Sequence, residues 1–136
     1  MRRIKHLFNV LIAEDNREDC RMLVEGLKDI AQCTIAVNGE EALKIFQQWQ
    51  SKGKFFDFIL LDIDMPVLNG FDILKTIRAK EETLTAKNPA HIIMITTYKD
   101  SLMENYNLGW DDFITKPVDI KILVERMNSM IAVVKK

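Results

Sequence analysis

Five short apolar runs, at positions 8–13, 33–37, 58–61, 92–95 and 113–114, alternate along the chain with stretches of helical spacing. The runs are nearly continuous, and β-branched or aromatic in flavour. Strands buried on both faces of a parallel sheet have that texture, because helices cover both sides. Between the runs, apolar residues recur three and four apart. Cys20, Leu23, Leu27 and Ile30 make one stripe; Ala42, Ile45 or Phe46, and Trp49 make a second; Phe71, Leu74 and Ile77 make a third. Ile120, Leu123, Val124, Met127, Met130 and Ile131 make the last, whereas the fourth, over 99–106, is short and polar. The pattern is β-α repeated five times. It predicts an α/β fold with a parallel sheet and helices on both faces. Right-handed crossovers leave few topologies, and the doubly wound order 2-1-3-4-5 is a common one.

Local signals place several boundaries. Asn38 with Glu41 three residues on reads as the start of a helix. Asn88-Pro89 marks a turn before the fourth strand. Val118-Asp119, just after Pro117, can open the last helix.

Size and charge narrow the function classes. A chain of 136 residues, 48% hydrophobic, holds one domain with a core sufficient to fold unaided. With 19 basic against 20 acidic residues the net charge is −1, and no basic stripe points to direct nucleic-acid binding. The longest apolar runs fall far short of the roughly 20 residues of a membrane span. Met1-Arg2-Arg3-Ile4-Lys5 opens like a signal peptide, but the apolar stretch that follows ends at Glu14-Asp15 with no small-residue cleavage site. Cys20 and Cys33 form no C-x-x-C and read as two small apolar side chains. A soluble, cytoplasmic domain is expected.

In open parallel α/β sheets, ligands bind beyond the carboxyl ends of the strands, where strand order reverses. Strand 1 ends in Glu14-Asp15 and strand 3 in Asp62, with Asp64 two residues later; strand 4 ends in Thr96-Thr97 and strand 5 in Lys116-Pro117. In the order 2-1-3-4-5 the acids crowd one crevice. Like charges so close oppose folding, so a hard divalent cation such as magnesium, with oxygen ligands, is the natural counter-charge. Lys116 adds a fixed positive charge. A carboxylate can attack phosphorus and form an aspartyl phosphate. Phosphoryl transfer needs positioning and charge neutralisation more than covalent help. Glu14, Asp15, Asp62, Thr96 and Lys116 supply each part.

The blocks Ile12-Ala13-Glu14-Asp15-Asn16, Leu60-Leu61-Asp62-Ile63-Asp64-Met65-Pro66 with Gly70, Ile93-Met94-Ile95-Thr96, and Phe113-Ile114-Thr115-Lys116-Pro117 resemble, in order and spacing, the receiver domain of bacterial two-component response regulators. The resemblance spans essentially the whole chain. It implies a flavodoxin-like (βα)5 fold and a single receiver domain over 1–136, with no output domain visible. It implies that Asp62 accepts a phosphoryl group from a phosphohistidine on a histidine kinase or phosphotransfer protein. Mg2+ (or Mn2+) would be held by Glu14, Asp15, Asp62 and the backbone carbonyl of Asp64. Thr96 resembles the switch hydroxyl, Lys116 the lysine that pairs with the phosphoryl group, and Phe113 the aromatic that turns in concert. Phosphorylation would then reshape the face of helix 4, strand 5 and helix 5, to which a downstream protein binds; the same face leaves room for a homodimer. Such a domain is no enzyme beyond catalysing its own phosphorylation and dephosphorylation.

Some positions depart from the family pattern. Glu14 stands where Asp is more usual, Thr97 where a small Ala is typical, Asn69 where an acid often precedes the turn Gly70, and Trp110 where Ala usually follows the glycine. Trp110 can fill core or mark a contact surface. His6 and His91 lack ligand-like partners nearby, and Lys135-Lys136 reads as a solvated end. Two other readings compete. Asp62-Ile63-Asp64 matches the D-x-D that opens haloacid-dehalogenase-type phosphohydrolases, although there the motif follows the first strand. A degenerate receiver serving only as a docking module is the other, and the complete set of acids, Thr and Lys argues against it.

Overall fold

A computed structural model describes residues 7–65, 69–83, 89–104 and 108–134. Pro66, Asn88, His6 and the Lys135-Lys136 end lie outside them.

The strands are β1 (Phe8–Ala13), β2 (Ala31–Ala36), β3 (Phe58–Asp62), β4 (His91–Thr96) and β5 (Asp112–Thr115). The helices are α1 (Arg17–Leu27), α2 (Gly39–Ser51), α3 (Gly70–Thr83), α4 (Asp100–Glu104) and α5 (Ile120–Val134). All ladders are parallel, and the sheet order is β2-β1-β3-β4-β5, as the alternating pattern predicts.

Successive side chains of a strand point to opposite faces, and the core divides accordingly. Leu11, Ala13, Ile59, Leu61, Ile92 and Met94 pack toward one face with Phe46 of α2, Ile73, Leu74 and Ile77 of α3, and Leu102 of α4. Val10, Ile12, Phe58, Leu60, Ile93 and Ile95 pack toward the other with Leu23 and Leu27 of α1 and Leu123 and Met127 of α5. Each fully buried Leu, Ile or Phe contributes about 1.5–3 kcal/mol.

Two of the caps are those the sequence signals. Asn38 Oδ1 accepts the N–H of Glu41 at 2.8 Å, and Glu41 reaches back to the N–H of Val37. Asp119 Oδ1 accepts the N–H groups of Lys121 and Ile122 ahead of α5. Asn69, the departure noted above, caps α3 through Phe71 and Asp72.

Three expectations shift. β2 begins two residues earlier than its apolar run, and Val37 lies beyond it and is exposed. β2 is an edge strand, so it is only partly covered and its pattern is diluted by exposed Gln32. Ile30 follows α1 rather than ending its stripe on the helix. Finally, α4 is only five residues long within a predicted span of 99–106, of which Tyr106 lies outside the described residues.

Candidate functional site

The carboxyl edge of the sheet collects the acids. Glu14 follows β1 directly, and its N–H donates to Ala36 O at 3.0 Å, so the backbone is still tied to β2. Asp62 is the last residue of β3 and sits opposite Ile95 in the ladder. Both are 1% exposed. Asp15 is exposed beside them, and carboxylate oxygens of Glu14, Asp15 and Asp62 all lie within 4.8 Å of one another. Asn16 caps α1 by accepting the N–H of Asp19 at 2.9 Å, which starts the helix immediately behind the pair.

Lys116 enters from β5. Its Nζ donates to Asp62 Oδ2 at 2.9 Å and lies 3.2 Å from Glu14 Oε1. Its backbone is tied to β4, the Lys116 N–H donating to Thr96 O at 2.8 Å; the Lys116–Pro117 peptide is cis. Asp62 Oδ1 accepts the N–H of Asp64 at 2.9 Å.

The electrostatics follow from burial and this sharing. Burial pushes the Glu14 carboxyl up to about 8, and its hydrogen bond with Asp62 and that group's charge add to the rise, against the pull of Lys116. Burial alone would raise Asp62 too. Hydrogen bonds from Glu14, from Lys116 and from the Asp64 N–H outweigh it and hold Asp62 below the usual carboxylate value. Burial opposes the charge of Lys116, but Asp62 and Glu14 override it and push the ammonium above its ordinary value.

Thr96 is 1% exposed at the end of β4. Its Oγ1 accepts the Tyr98 N–H at 3.0 Å and donates to the Tyr98 carbonyl at 3.1 Å. Phe113 is half-buried in β5, with Trp110 set edge-on to it, ring centroids 5.9 Å apart at 89°. Trp110 packs against the core.

Gly70 opens α3 tight against the end of β3. A Cβ there would lie 3.0 Å from both the Asp62 carbonyl oxygen and Ile63 Cα, so only glycine fits without moving backbone.

Glu14, Asp15, Asp62 and Lys116 thus converge as the sequence indicates. Asp64 joins through its backbone, while its carboxylate is exposed and outside the acidic trio. Asp19 was not foreseen: its Oδ2 stands 3.8 Å from Lys116 Nζ. Its place in the first turn of a helix capped by Asn16 is the signal that could have found it.

The sequence profile of the response regulator receiver domain matches residues 10–128. The chain belongs to the receiver family. This receiver is 34% identical over 128 residues to hybrid signal transduction histidine kinase I of Dictyostelium discoideum, covering 90% of the chain and 7% of that protein. It is 30% identical over 128 residues to the transcriptional regulatory protein CiaR of Streptococcus pneumoniae, covering 92% of the chain and 52% of the relative. The chain therefore spans about half of one relative and a small fraction of the other. Among solved structures, the receiver domain of the Saccharomyces cerevisiae response regulator Ssk1, crystallised with the histidine phosphotransfer protein Ypd1, aligns with a TM-score of 0.77 at 28% identity, covering 92% of this chain and 89% of that one. Receiver domains are signalling switches of two-component and phosphorelay systems rather than classical enzymes, and membership decides against the phosphohydrolase reading of Asp62-Ile63-Asp64. No helix among the described residues is long and apolar enough to cross a membrane.

Proposed function

We propose that Asp62 is the phospho-acceptor of this receiver. The observation that carries the reading is a buried carboxylate at the end of a central strand, hydrogen-bonded to Lys116 Nζ at 2.9 Å, with Glu14 and Asp15 beside it. An Asp62 carboxylate oxygen forms the new O–P bond as the P–N bond of a phosphohistidine breaks. The electron pair returns to the imidazole nitrogen, which takes up a proton. Lys116 meets one phosphoryl oxygen, and the Thr96 hydroxyl leaves Tyr98 to meet another.

An all-oxygen donor set suits a hard divalent cation. Glu14, Asp15, Asp62 and the backbone carbonyl of Asp64 would hold Mg2+ or Mn2+, which when bound neutralises charge on the phosphoryl group. Phosphorylation adds about −1.5 to −2 charge and three acceptor oxygens. The space that Thr96 vacates lets Phe113 turn, and the face of α4, β5 and α5 changes shape. The domain thereby catalyses its own phosphorylation and dephosphorylation.

The donor is a histidine kinase or a histidine phosphotransfer protein, a reading supported by the hybrid kinase and Ypd1-bound relatives. A downstream protein, or a second copy, reads the altered face. Residues 1–136 form one receiver unit, and it works in the cytoplasm.

The test is direct. Incubation with Mg2+ and an acyl phosphate should add one phosphoryl group by intact mass, and Asp62→Asn should abolish the gain. An unchanged mass, or an equal gain in the variant, sinks the reading; the former would leave a docking module.

A further inference from the structure

Helix α3 carries an arginine that phosphoryl chemistry leaves unused. The Arg78 side chain is 21% exposed. Its Nε donates to the Gly109 carbonyl at 2.9 Å, Nη1 to Glu81 Oε1 at 2.7 Å and to the Ala90 carbonyl at 2.9 Å, and Nη2 to Asp111 Oδ2 at 2.9 Å. The acceptors are themselves engaged. Glu81, 9% exposed, accepts the Ala90 N–H at 2.8 Å, and Asp111 Oδ2 accepts the Ile92 N–H at 2.7 Å. One planar guanidinium thus ties α3 to the entry of β4 and to the loop that leads into β5. Gly109 is fitted to it: φ is +105°, and a Cβ would meet Arg78 Cγ at 3.2 Å.

Trp110 lies between the two residues so held. Fixing Gly109 and Asp111 fixes the backbone that carries the indole, and the indole is the wall against which Phe113 rests. At its other end α3 begins at Gly70, against the Asp62 carbonyl. A single helix therefore abuts the acceptor's backbone at one end and anchors the neighbour of Phe113 at the other.

We propose that Arg78 is a positioning residue of the switch, setting how far Trp110 and Phe113 respond when Asp62 is phosphorylated. This rests on the reading of Asp62 as acceptor and Phe113 as switch aromatic. Lysine is no substitute, because an ammonium lacks the planar fork that meets several acceptors at once.

Trp49 and Trp110 are the chain's two tryptophans, so Trp49→Phe leaves Trp110 as the sole indole. In that background, Trp110 emission and acrylamide quenching are recorded with Mg2+ before and after an acyl phosphate, with intact mass in parallel. In Arg78→Met and Arg78→Lys the mass gain should persist, while the Trp110 response shrinks roughly two- to tenfold, as for residues in one coupled network. Arg78→Met leaves Glu81 buried without its counter-charge, so Arg78→Met/Glu81→Gln serves as the second variant and should show the same loss. A parental response alongside a parental mass gain, with only a lower Tm, overturns the proposal and leaves Arg78 a purely structural clamp. Absence of a mass gain in the parent overturns the acceptor reading and this inference with it.

Discussion

Thr96 and Tyr98 are bonded to each other twice: one hydroxyl accepts the Tyr98 N–H at 3.0 Å and donates to the Tyr98 carbonyl at 3.1 Å. With a single proton, the hydroxyl can donate to a phosphoryl oxygen only by giving up the Tyr98 carbonyl. Thr96→Val keeps the shape and removes the hydroxyl. It should lower stability by about 1 kcal/mol, the net worth of such bonding, as read by urea unfolding. The mass gain on Asp62 should persist, and the Trp110 emission change that follows it should be lost.

Lys116 is the one cation that the described residues place between Glu14 and Asp62. Lys116→Met strands two acids, each 1% exposed. Breaking a buried pair by removing one partner costs about 3–5 kcal/mol. The midpoint in urea with a chelator at pH 7.5 should fall accordingly, and either Mg2+ or acid should restore part of it. An unchanged midpoint would mean that Lys116 carries no share of the metal-free structure.

The pH dependence has a definite sign. Glu14 is raised from 4.5 to about 8 in the folded chain, so between these values the native state holds a proton that the unfolded state releases. Stability then falls as pH rises, with a limiting slope of about 1.4 kcal/mol per pH unit. The contribution is complete below 4.5 and gone above about 8. Asp62, shifted down, acts oppositely, adding stability above its unfolded value of 3.8 that is lost in stronger acid. Thermal melts with a chelator should therefore decline from pH 5 to 8. Saturating Mg2+ should flatten the decline, since a cation favours the ionised Glu14.

Gly70→Ala places a methyl 3.0 Å from the Asp62 carbonyl oxygen and Ile63 Cα, and 3.2 Å from Met94 Cε. Two of these atoms are backbone and cannot swing aside. The substitution should cost about 1–3 kcal/mol, as overpacking does, and slow phosphorylation by the small donor even where the protein remains folded. Chevron kinetics and mass-resolved phosphorylation rates would separate the two effects.

What could be read from the chain depended on how local the cause was. β3 is buried throughout, and β1 and β4 are buried after their first one or two residues, so their apolar texture is nearly unmixed. β2 is an edge strand, and exposed Gln32 and half-covered Cys33 to Ile35 blur its start. α4 has no clear stripe because only Leu102 of its described side chains is buried. Glu14, Asp15, Asp62 and Lys116 were legible because the carboxyl ends of parallel strands converge by topology alone. Arg78 was not. Its partners Gly109 and Asp111 lie 31 and 33 residues away, and in the sequence it is one charged residue on a helix surface.

Asp62 belongs to a hydrogen-bonded ladder, and the next residue is tied as well: the Ile63 N–H donates to Ile95 O at 2.9 Å. In a central strand such amides open only with the whole sheet. On the proposed reading Asp62 is thus a fixed origin, and the side chains of Thr96, Lys116 and Phe113 do the travelling. Hydrogen exchange should record that asymmetry. Protection at Ile63 should be the same before and after phosphorylation, while the Tyr98 amide, released from the Thr96 hydroxyl, exchanges faster.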